Sequence, residues 1–71
     1  MPPDMQSVAR SSNVSEVGFE DGVLYVTFNS GSTYAVSGMT ESDYQEILAS
    51  PSPGSWYHQN VRSAGRSVRK V

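Results

Sequence analysis

The chain has no cysteine and a single histidine, His58. Without thiols there is no disulfide framework, no thiolate zinc site and no cysteine nucleophile, and one imidazole cannot build a multi-histidine metal centre. No cofactor or metal is therefore expected. Long hydrophobic runs are equally scarce. The longest, Val23-Leu24-Tyr25-Val26, falls far short of the roughly 18 residues a membrane-spanning helix needs. The opening Met-Pro-Pro-Asp lacks the charged-then-apolar pattern of a secretory signal. Together with the reducing conditions that suit a cysteine-free chain, these absences point to a soluble, cytoplasmic protein. A chain of 71 residues is expected to fold as one domain around one modest core, burying only about 60% of the surface its unfolded form exposes.

Basic residues are few, five against seven acidic ones, for a net charge of −2, but their placement is uneven. Through Val61 there is one Arg against seven carboxylates, or −6; from Arg62 onward, Arg62, Arg66, Arg69 and Lys70 give +4. A segregated basic end is either a contact for nucleic acid or another anion, or a counterweight to the acidic part of the same domain.

Hydrophobic alternation outlines the fold. Residues 1–5 carry two prolines and no alternation and read as a flexible terminus; residues 6–71 read as the single domain. Val17 and Phe19 alternate with Glu16 and Gly18, and Glu20-Asp21-Gly22 supplies a hairpin turn, since glycine and, less readily, aspartate accept positive φ. In the next strand Leu24, Val26 and Phe28 share one face and Val23, Tyr25 and Thr27 the other. Asn29-Ser30-Gly31-Ser32 forms a second turn and Thr33-Tyr34-Ala35-Val36 a third strand. Thr40 is placed as a helix N-cap with Asp43 completing a capping box, and Met39 with Tyr44 as a hydrophobic staple. Tyr44, Ile47 and Leu48 form the apolar stripe, and Pro51 ends the helix. The predicted fold class is α+β: a three-stranded antiparallel meander packed on one helix, followed by a C-terminal aromatic segment and a short edge strand over Ser67-Val68-Arg69-Lys70-Val71.

Catalysis lacks parts. No Ser-His-Asp order or carboxylate pair is legible around His58, Glu20-Asp21 has too few oxygen ligands for a calcium loop, and the six glycines form no phosphate-cradling cluster. A non-enzymatic binding module is the better reading. Trp56, Tyr57 and His58 place stacking surfaces close to Arg62, and Arg66 and Arg69 extend the positive charge. Stacking faces beside cations suit RNA or a nucleotide-like anion. Against this, a sequence pI near 5.0 is the reverse of the usual nucleic-acid footprint, so only a local patch would bind. The bland alternative makes Trp56 core, as the one tryptophan of a small domain. Another arrangement has Trp56 and Val61 anchor the segment while Tyr57 and His58 stay reachable. A protein-interaction module, using a sheet edge or the face of Val23, Tyr25 and Thr27, is the competing function.

The order of motifs resembles the KTSC family, short domains found at the C-terminal end of some lysyl-tRNA synthetases and as free-standing bacterial or phage-type proteins. The matching pieces are Ser11-Ser12-Asn13-Val14 with Val17-Gly18-Phe19; Leu24-x-Val26-x-Phe28; Gly31-x-x-Tyr34; Tyr44 and Leu48; and Gly54-x-Trp56-Tyr57-His58-x-x-Val61-Arg62. The family's central Tyr-x-Tyr reads Tyr34-Ala35-Val36 here, so its second aromatic is replaced. Met39-Thr40 stands where relatives tend to have Val-Pro, and Ala64-Gly65-Arg66 where an aromatic is usual. The resemblance implies no established activity, and its association with a tRNA-charging enzyme suggests RNA binding. The ligand residues expected on this reading are Tyr34, Trp56, Tyr57, His58, Arg62, Arg66 and Arg69.

Overall fold

The computed structural model describes residues 5–8 and 13–71. The expected flexible terminus, apart from Met5, and Ser11-Ser12 lie outside them. The fold is α+β, with a five-stranded antiparallel sheet in the order β1-β2-β3-β4-β5: β1 (Gln6–Ser7), β2 (Val14–Glu20), β3 (Val23–Phe28), β4 (Thr33–Ser37) and β5 (Val68–Lys70). The expected three-stranded meander is β2 to β4, and the expected edge strand is β5. The fifth strand, β1, is two residues long and too short to carry an alternation signal. Two helices, α1 (Glu41–Ala49) and α2 (Pro53–Tyr57), lie between β4 and β5, and α2 runs into a π-helical turn, His58–Arg62. Among the described residues no helix is long and apolar enough to cross a membrane.

The register follows from burial. Val17 pairs with Val26, Phe19 with Leu24, Val26 with Tyr34 and Leu24 with Val36, so these side chains share the face that the helices cover. Val17, Leu24, Val26 and Val36 are fully buried there. Asp21 and Gly22 adopt φ of 53° and 77°, the paired positive values of a tight hairpin, and Glu20 pairs directly with Val23 across them.

One irregularity extends β2 beyond its readable alternation. Val14 and Val17 are an odd number of residues apart, which in a regular strand sends them to opposite faces, yet both are fully buried. The pairing shifts between Val14 and Glu16, a bulge at Ser15 that turns Val14 back to the core side. Its strand end carries Asn13, whose carbonyl accepts from the Asn29 amide at 2.7 Å.

Helix α1 is capped as its sequence requires. The Asp43 amide donates to Thr40 Oγ1 at 3.2 Å, and the Thr40 amide donates to Asp43 Oδ2 at 3.0 Å. Met39 is buried and Tyr44 packs against the same core, while Ile47 is the fully buried residue of the stripe. Tyr44 also stacks on Phe19, centroids 6.0 Å apart.

Candidate functional site

The aromatic segment is anchored by Val61 with His58 exposed, as one sequence reading expects, but Tyr57 rather than Trp56 is its buried ring. Trp56 is half-buried and packs against the side of the core, and its Nε1 donates to Glu46 Oε1 on α1 at 3.3 Å. Tyr57 and Val61 are the inward residues, 6% and 0% exposed, aligned with the buried Pro53. The geometry explains the alignment. Four residues of α-helix turn about 400°, overshooting by about 40°, whereas four residues of a π-turn, at about 4.4 residues per turn, undershoot by about 30°. The two drifts nearly cancel, so Pro53, Tyr57 and Val61 fall on one line while Trp56 is rotated off it. The π geometry shows in the Ser63 amide donating to the His58 carbonyl at 2.9 Å; the Arg66 amide donating to the Val61 carbonyl at 3.0 Å and the Gly65 amide to the Arg62 carbonyl at 3.3 Å, with Gly65 at φ 72°, close the segment as a Schellman cap.

Beside this segment, where the β2 and β3 ends meet α2 and the π-turn, lies an open groove of about 950 Å³. Its aromatic lining comes from Phe28, Tyr34 and Tyr57. The Phe28 ring meets Tyr57 edge-on at 5.1 Å and Tyr34 at 5.7 Å, so the three form one continuous floor. Polar groups come from Asn13, Asn29 and Ser30 at the strand ends, from Ser55 on α2 and from His58, Gln59 and Arg62 on the π-turn, and Val68 on β5 adds an apolar edge. Among the described residues lining it, Arg62 is the one Lys or Arg, and there is no Asp or Glu. Burial pushes the Tyr57 hydroxyl's pKa above 10.0, opposed by the Arg62 guanidinium and reinforced by Tyr34.

Of the seven expected ligand residues, the groove brings together Tyr34, Tyr57, His58 and Arg62. The other three lie elsewhere. Trp56 is turned toward α1. Arg66 Nη1 donates to the Gly38 carbonyl at 3.2 Å, which ties the segment leading into β5 to the turn after β4. Arg69 pairs with Ala35, and Ala35 with Tyr25, so it stands on the sheet face opposite the helices. Proximity in sequence misled here, because a strand sends neighbouring residues to opposite faces.

The contributions of Asn13, Asn29 and Ser30 were not anticipated. Asn29 and Ser30 have no sequence signal beyond their place at a strand end, where turns collect polar residues for their own reasons, and Asn13 adds only its place in the family motif. Gly54 belongs with them: a Cβ there would come within 3.1 Å of Asn13 Nδ2 and 3.3 Å of Asn13 Cβ. Its missing side chain lets α2 approach the β2 end closely enough to make one wall of the groove.

These features define a small α+β domain whose antiparallel sheet carries an aromatic-floored groove at one end. The chain belongs to the KTSC domain family, whose model matches residues 10–64. That span contains Tyr34, Tyr57, His58 and Arg62 and stops before Arg66, Arg69 and β5. No curated protein matches the chain.

Proposed function

We propose that the protein is a non-enzymatic, cytoplasmic binding module that takes RNA or a nucleotide-like anion in the groove over Phe28, Tyr34 and Tyr57. The observation that carries this reading is the composition of the groove: a continuous aromatic floor, one guanidinium, an imidazole and several amides and hydroxyls, with no carboxylate among its described residues. A nucleobase offers a flat apolar face for such a floor and polar edges for amides, while a phosphate accepts from Arg62. The resemblance to domains attached to lysyl-tRNA synthetases and to free-standing bacterial or phage-type proteins is consistent with RNA, as a likeness of fold and company only.

The competing protein-interaction reading has less support. Tyr25 is half-buried rather than standing proud of the open sheet face. The exposed large hydrophobic side chains among the described residues are Val68 and Val71, in and just after β5, which is too little for a docking patch of several hundred Å². A fluorescence-anisotropy titration with single-stranded and structured RNA at low salt tests the proposal. Arg62 is exposed, so Arg62→Ala is expected to fold normally and weaken binding at least fivefold. No binding at tens of micromolar, or binding indifferent to Arg62→Ala, overturns the reading.

A further inference from the structure

We infer that the groove accommodates a single nucleotide unit, free or within a strand, rather than a run of nucleotides; this rests on the groove being the nucleotide site. The cations decide the length. A strand tracked along its backbone meets a basic side chain at successive phosphates, but the groove offers Arg62 alone among its described Lys and Arg side chains. Arg66 is engaged with the Gly38 carbonyl, and Arg69 stands on the far face of the sheet. Lys70, opposite Tyr34 on β5, is on the groove face without lining it, so one phosphate is met directly and at most a second nearby.

The rings give the same answer. Sequence-tolerant strand binders space their aromatics so that successive bases stack on successive platforms. Here Phe28 lies between Tyr34 and Tyr57, edge-on to both at 5.7 and 5.1 Å, which makes one patch and not a row.

The test is an anisotropy competition series with adenosine 5′-monophosphate, the corresponding dinucleotide and a single-stranded RNA of about ten nucleotides, on wild type and Arg62→Ala, across a range of salt. Binding of one unit gives affinities for the mononucleotide and the longer RNA within about tenfold, the factor that multiple registers supply. It also gives a slope of log K against log salt between about −0.7 and −1.4, for one or two phosphates. Tight mononucleotide binding with weaker RNA binding also supports the inference and makes free nucleotide the ligand. Affinity rising more than about a hundredfold with length, or a slope steeper than about −3, overturns it while leaving the groove a nucleic-acid site. Absence of binding by all three, or indifference to Arg62→Ala, removes the site reading itself.

Discussion

Tyr57, 6% exposed and edge-on to Phe28, supplies both a core anchor and part of the groove floor. The two roles pull on its hydroxyl differently. Burial disfavours the phenolate, the Arg62 charge favours it, and Tyr34 nearby disfavours it again, with burial the largest influence, so ionisation in the folded chain requires a pH above the ordinary 10.0. The unfolded chain releases this proton first. The stability that Tyr57 contributes is therefore fully present below pH 10 and is lost as pH rises from there through the higher folded-state value. Denaturant melts of wild type and Tyr57→Phe at several pH values between 8 and 11 should show wild type losing stability more steeply above pH 10, with the two curves parallel below it. Parallel curves throughout would mean that the hydroxyl reaches solvent freely and that burial does not govern it. Tyr57→Phe removes this hydroxyl and nothing else, so the difference between the two proteins isolates Tyr57.

Helix α1 is short, nine residues, and isolated helices of that length do not hold in water. Its reciprocal Thr40–Asp43 bonds and the seat of Ile47 in the core hold it in place. Thr40→Ala removes both bonds of the Thr40 hydroxyl, from the Asp43 amide and to Asp43 Oδ2, and leaves that amide to solvent, at a cost of about 1 kcal/mol, read as a lowered urea midpoint with unchanged slope. This helix was legible in the sequence because its signals are local: a cap, a staple, a stripe and a terminating proline, all between Met39 and Pro51. The β2–β3–β4 register was legible for the same reason, since alternation and the Asp21-Gly22 turn lie on consecutive residues. Three elements were not. The bulge at Ser15 interrupts the alternation that would reveal it, β1 has two residues, and the spacing of four between Pro53, Tyr57 and Val61 fits an α stripe and a strand face alike, so nothing in it announces a π-turn. The groove was therefore half legible. Tyr57, His58 and Arg62 stand out as an aromatic and basic cluster, but the walls from Asn13, Asn29 and Ser30 depend on which strand ends meet, a long-range fact that no local pattern encodes.

At the scale of the molecule, four of the seven acidic side chains gather at the end away from the groove. The Asp21-Gly22 hairpin and the start of α1, with Glu20, Asp21, Glu41 and Asp43, are joined by the Met39 amide donating to the Gly22 carbonyl at 3.0 Å. The groove lies at the other end of β3, beyond Phe28. Strand β3 has six residues, so at about 3.3 Å per residue the two ends stand roughly 17 Å apart, in a domain measuring 25 × 25 × 20 Å. That separation is about two Debye lengths at physiological salt, about 8 Å each, so the acidic end opposes an anion in the groove weakly. Local contact, rather than net charge, should then set affinity. Arg62→Ala and Arg69→Ala each remove one positive charge, take the net charge from −2 to −3, and alter an exposed side chain, yet only Arg62 lines the groove. With adenosine 5′-monophosphate as ligand at about 0.15 M salt, Arg69→Ala should stay within twofold of wild type while Arg62→Ala falls at least fivefold. Equal losses in the two variants would return the basic end to a diffuse electrostatic role and detach it from the groove.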